Sequence, residues 1–165
     1  MNKEELQFPI RIELGAGNRR LPGWTSIDIS GHAMIKCDLA NEKLPFNDNS
    51  VEEIYHSHFL EHFSYPEPMS YVLSECLRVL KPRGIMRVAV PDSSIYIHAY
   101  IEKKPFPEVI PVYKPAYFFN SHIDSINYIA YMAGQHHHCF DLENLLAILN
   151  KAGFTNVKER KFDPL

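Results

Sequence analysis

The chain has 165 residues, 45% of them hydrophobic, which is one domain's length with enough apolar material for a core and excludes disordered and fibrous classes. Its net charge of -3 makes no field that would gather nucleic-acid backbones or anionic lipid, so neither nucleic acid nor membrane is expected as a partner. Cys37, Cys76 and Cys139 are an odd, unclustered set; with no apolar stretch in MNKEELQFPI and no run near the roughly 18 residues of a membrane span, this predicts free thiols in a cytoplasmic protein.

Ile10, Ile12 and Leu14 alternate with charged residues ahead of Gly15 and predict a first strand ending in a tight turn. Trp24 to Ile29 and Ala33 to Cys37 predict two further short strands, and Val51 to His56 a fourth after the turn PFNDNS. From Pro66 to Leu80 the spacing of Met69, Val72, Leu73, Cys76, Leu77 and Leu80 is helical, with Pro in front and KPRG behind. Gly84 to Val90 has the nearly continuous apolar character of a strand covered on both faces, stopped by Pro91. Asp92 or Ser93 caps a following helix. Another helix runs from the N-cap Asp141 through Leu142, Leu145, Leu146 and Leu149 to Gly153, and Thr155 to Phe162 reads as a last strand. Strands alternating with helices predict an α/β fold, a doubly wound and mostly parallel Rossmann-like sheet with helices on both faces.

In such sheets ligands sit beyond the carboxyl ends of the strands. Gly15, Ala16 and Gly17 form a Gly-x-Gly turn after the first strand, where missing side chains admit a ligand or simply a turn. Asp28 closes the second strand, where a carboxylate can accept both hydroxyl hydrogens of a ribose. Between Gly17 and Asp28, Pro22 and Gly23 leave no room for the helix that a dinucleotide's pyrophosphate needs, so a nucleoside without phosphate fits better. Arg19 and Arg20 read as a solvated loop. Asp38 follows the third strand, placed either to accept from an adenine amino group or to cap a turn, with Leu39 or Leu44 to cover the base.

The ordered set ELGAGN, SIDIS, CDLANEKLPFNDNSVEEIYHSHFLEHF, LSECLRVLKPRGIMRVAVPD and FDLENLLAILNKAGF resembles the class I S-adenosylmethionine-dependent methyltransferases, from about residue 10 to residue 160. The resemblance implies S-adenosyl-L-methionine as cofactor. It implies that the turn at Glu13, Gly15, Ala16 and Gly17 holds the methionine portion, and that Asp28 with Ile29 meets the ribose. Asp38 and Leu39 would meet the adenine, and Ser57 and His58 would face the methyl group. Against the family pattern the first helix is short and the usual last antiparallel strand is missing, which leaves a sheet edge either unpaired or covered by a partner, as in a homodimer.

Methyl transfer to a hydroxyl benefits from a base with pKa near neutrality, which histidine supplies. His58, after the fourth strand, and His136, in a run of three histidines before the last long helix, are the candidate catalytic bases; His62 reads as packing its turn. Residues 105–140, with Tyr113, Tyr117, Phe118, Phe119, Tyr128 and Tyr131, read as an insertion that covers a small-molecule or saccharide acceptor, or as rings packed on the sheet. Two other readings compete. HFLEH, His58 to His62, fits the H-x-x-E-H pattern of inverted zinc peptidases, although no metal ligand is assigned, and a non-catalytic module could keep the cofactor pocket alone.

Overall fold

The computed structural model describes residues 9–18, 21–104, 119 and 121–161. The chain divides into two compact units, one made of Met1–Leu60 and Pro66–Val90, the other of Glu61–Tyr65 and Pro91–Leu165.

The first unit holds a five-stranded sheet: β1 (Arg11–Leu14), β2 (Thr25–Asp28), β3 (Ile35–Lys36), β4 (Val51–Ser57) and β5 (Leu80–Ala89). Its order is β3-β2-β1-β4-β5 and every pairing is parallel, so all carboxyl ends lie along one edge. Central β1 is buried from Ile12 to Leu14, as a strand paired on both sides requires. Helix α1 (Met69–Val79) buries Met69, Val72, Leu73 and Cys76 of the expected stripe together with Val79, whereas Leu77 is half-buried and Leu80 opens β5 instead of closing the helix.

Two strand expectations are corrected. The stretch expected to be covered on both faces is instead the outer strand β5, of which only Leu80 is buried and Ile85 is 46% exposed. Apolar composition alone does not tell an edge strand from a central one, because the difference lies in the neighbours. Pairing also starts earlier than Gly84: Val51 pairs with Leu80 and Glu53 with Ile85, so Lys81–Gly84 bulge out, and Lys81 Nζ reaches Glu52 Oε1 at 2.8 Å. Thr155 to Lys161 forms no strand, and Phe162 lies outside the described residues. A strand needs a partner ladder, and among the described residues Thr155–Lys161 joins none.

The second unit carries α2 (Ser93–Ile101), α3 (Asp124–Tyr131) and α4 (Leu142–Ala152) among its described residues. Asp92 caps α2 by accepting the Ser94 N–H at 2.9 Å, and Asp141 caps α4 by accepting the Asn144 N–H at 2.8 Å. Gly153 ends α4 with φ 107, a left-handed position suited to glycine. Asp92 and Phe140 form a parallel bridge that holds the starts of α2 and α4 together. Residues 105–118 and 120 of the expected insertion, including Tyr113, Tyr117 and Phe118, lie outside the described residues, as do Arg19 and Arg20. Cys37, Cys76 and Cys139 are free thiols. No described helix is long and apolar enough to cross a membrane.

Candidate active site

The strand order reverses between β1 and β4, so the segments after these strands flank the point where open parallel sheets place their ligands. The turn after β1 is fastened to the end of β2. Gly15 and Ala16 donate to the Ile27 carbonyl at 2.9 and 3.4 Å, and the Gly17 N–H donates to Asp28 Oδ2 at 2.9 Å. The other oxygen of Asp28 accepts the Ser30 N–H at 2.7 Å. Burial pushes this carboxyl up, but the Ser30 and Gly17 donors outweigh it and hold it below its ordinary range. Asp28 is therefore a half-buried anion locked in orientation by two backbone donors, on a group that offers about four lone-pair positions.

Both glycines of the turn lie in the left-handed region, at φ 65 and 55. They differ in what surrounds them. A Cβ on Gly15 would lie 2.5 Å from Phe59 Cδ2, whereas one on Gly17 would meet nothing within 4 Å. Gly15 thus serves packing by Phe59, whose ring also meets that of buried His56 at 5.3 Å and a tilt of 58°, and Gly17 leaves open space. Nothing in the sequence marks Phe59, an ordinary apolar residue inside a motif noted for its histidines.

Glu13 is buried beneath the turn and accepts the Leu21 N–H at 3.2 Å through Oε2. Burial raises its carboxyl above the ordinary value, and the Leu21 bond offsets that only in part. Beyond β2, Ile29 is 62% exposed, an apolar surface beside Asp28. The residues after β3 are placed differently. Asp38 accepts the Ala40 N–H at 3.1 Å and the Asn41 side-chain amide at 2.9 Å, which makes it a turn-capping residue. Leu39 and Leu44 are buried, so of the apolar candidates Ile29 alone presents a face that a base could cover.

Loop 38–48 is held by a clamp that sequence reading missed. Arg78 donates to both oxygens of buried Glu75 at 2.8 and 2.7 Å, to Asp48 Oδ1 at 2.8 Å, and to the Phe46 and Leu44 carbonyls at 2.9 Å each. Glu75 in turn accepts the Leu44 N–H at 2.9 Å. A glutamate inside a helix's apolar stripe was the available signal.

At the end of β4, Ser57 pairs with Ala89, and the His58 N–H donates to the Ala89 carbonyl at 3.0 Å. His58 is exposed and has φ 52, a conformation seldom taken by a residue with a side chain. His136 belongs to the other unit. The candidate base His136 is buried with its Nδ1 2.8 Å from the Ile129 carbonyl, whereas His137 beside it is exposed. His62 packs its turn, with Nδ1 2.9 Å from the Gln135 carbonyl.

In fold, the parallel sheet with its β1/β4 reversal and glycine turn is similar to solved S-adenosylmethionine-dependent methyltransferases. A methyltransferase from Archaeoglobus fulgidus is 18% identical, with a TM-score of 0.57 over 91% of this chain and 62% of that one. One from Mesorhizobium loti is 17% identical, with a TM-score of 0.53 over 88% of this chain and 74% of that one. Phosphoethanolamine N-methyltransferase 2 of Haemonchus contortus, in complex with S-adenosyl-L-methionine, is 15% identical, with a TM-score of 0.56 over 90% of this chain and 33% of that one. The chain therefore spans less than two thirds of the Archaeoglobus protein and about a third of the Haemonchus enzyme. In sequence, residues 19–88 match the family described as "Methyltransferase domain". The comparison with curated proteins gives no significant match.

Proposed function

We propose that the chain is a methyltransferase that binds S-adenosylmethionine at the carboxyl edge of its sheet and methylates an oxygen of a small molecule or saccharide. The latch between Gly17 and Asp28 carries this reading, because it aims a carboxylate with spare acceptor capacity across an open glycine turn. A ribose diol has the two donors that such a carboxylate can still take. Ile29 provides apolar cover beside it, and buried Glu13 provides an acceptor for the cofactor's ammonium group. When bound, S-adenosylmethionine supplies a methyl group already activated on sulfonium, so the protein's work is alignment and exclusion of water.

In this reading, exposed His58 at the end of β4 takes the proton of the acceptor hydroxyl as the new bond to carbon forms. Its backbone bond to the Ala89 carbonyl fixes where the ring starts. The test is release of S-adenosylhomocysteine with panels of alcohols, saccharides and amines. Turnover confined to hydroxyl acceptors, falling about 100-fold or more in His58→Ala with cofactor affinity unchanged, is the expected result. Turnover confined to amines would contradict the oxygen assignment, and equal losses of rate and cofactor affinity would make His58 structural.

A further inference from the structure

We propose that Glu61, His62 and His136 form a binding site for one divalent transition-metal ion of the zinc class. Each residue offers one ligand atom, and these atoms lie within 4.8 Å of one another. Glu61 and His136 are buried and His62 is half-buried. Two imidazoles and a carboxylate are a donor set that zinc accepts, with a further coordination position left open.

The surroundings of the two rings decide what the cluster can hold. His62 Nδ1 lies 2.9 Å from the Gln135 carbonyl and His136 Nδ1 lies 2.8 Å from the Ile129 carbonyl. A carbonyl can only accept, so both Nδ1 atoms carry the proton, and in each neutral ring Nε2 is the nitrogen whose lone pair a metal can take. That is the arrangement in which a histidine is oriented for a metal by a partner behind it. The rings are 5.3 Å apart at 73°, near enough to share one ion.

The backbone builds the cluster in advance. The Glu61 carbonyl accepts the N–H groups of His137 and His138 at 2.8 and 3.2 Å, tying the segment 61–62 to the loop after α3. Met132, Ala133 and Gly134 are all in the left-handed region, at φ 36, 57 and 85, and reverse the chain ahead of His136. For two of them this is a costly conformation, held where the ligands must meet. The set differs from the H-x-x-E-H reading by one residue. His58 is not part of it, and the third ligand comes from the distant histidine run, which sequence spacing cannot show.

The site lies wholly within the second unit and does not depend on the methyl-transfer reading. Its test uses the full chain stripped with chelator and titrated with Co2+ and Zn2+, read by absorbance and calorimetry. One equivalent of each metal is expected to bind, with cobalt bands of a nitrogen and oxygen site and no thiolate-to-cobalt band. His62→Ala, at the least buried ligand, is expected to weaken Zn2+ more than about tenfold. Cys139→Ser combined with His137→Ala is expected to leave it unchanged. Absence of stoichiometric binding, or a thiolate band, would overturn the proposal on the wild-type protein alone, whether or not the variants fold. Unchanged Zn2+ affinity in a folded His62→Ala protein would also overturn it.

Discussion

Replacing Arg78 by alanine tests whether the loop that carries Asp38 is held by the clamp on α1. The change removes the donors to Glu75, Asp48 and the Leu44 and Phe46 carbonyls, and leaves the Glu75 carboxylate buried beside a single remaining N–H. Breaking a buried pair costs about 3–5 kcal/mol, and the low end applies because Arg78 keeps 24% of its side-chain surface exposed against 7% for Glu75. At about 3 kcal/mol and 2–4 °C per kcal/mol for a chain of this size, Tm should fall by about 6–12 °C. Arg78→Lys should recover only part of this, since an ammonium cannot reach two carboxylate oxygens and two carbonyls from one plane. Differential scanning calorimetry measures both; a fall below about 2 °C in Arg78→Ala would refute the clamp.

The same pair sets an acid limb. Arg78 holds the Glu75 carboxyl below its ordinary range, helped by the Leu44 N–H and opposed by burial, so its stabilisation is complete above the ordinary carboxylate value and is lost as pH falls through the folded one. Urea midpoints of wild type and Glu75→Gln should therefore differ clearly at pH 7 and converge toward pH 3; a constant gap would contradict this. Glu13 has the opposite sign: burial raises its carboxyl, so the charged form is a burden at neutral pH, above its ordinary value. Glu13→Gln preserves shape and the Leu21 acceptor, so the free protein should be at least as stable at pH 7, while S-adenosylmethionine affinity drops more than about tenfold from the loss of a charged acceptor. Equal affinity would remove Glu13 from the cofactor site.

Local periodicity carried much of this fold. The stripe from Met69 to Cys76, the caps Asp92 and Asp141 and the stop at Gly153 appear where their residue types place them, since each depends on contacts a few positions away. Strand exposure did not follow, because which side of β5 is paired among the described residues is a tertiary fact, and Thr155–Lys161 forms no strand there. At the candidate site the glycine turn and Asp28 were visible as types at strand ends. Their mutual bond was not, nor was the reason for Gly15, which is the ring of Phe59 packed against it. Glu75 with Arg78, and His136 beside His62, join residues through tertiary contacts that spacing does not encode.

The central claim is tested most directly by calorimetric titration of wild type and Asp28→Ala with S-adenosylmethionine and, separately, S-adenosylhomocysteine. Micromolar binding of both by wild type is expected, weakened more than about tenfold in Asp28→Ala by loss of two ribose hydrogen bonds at roughly 1 kcal/mol each. A folded wild-type protein that binds neither compound, or an Asp28→Ala variant that binds them equally well, would contradict the account.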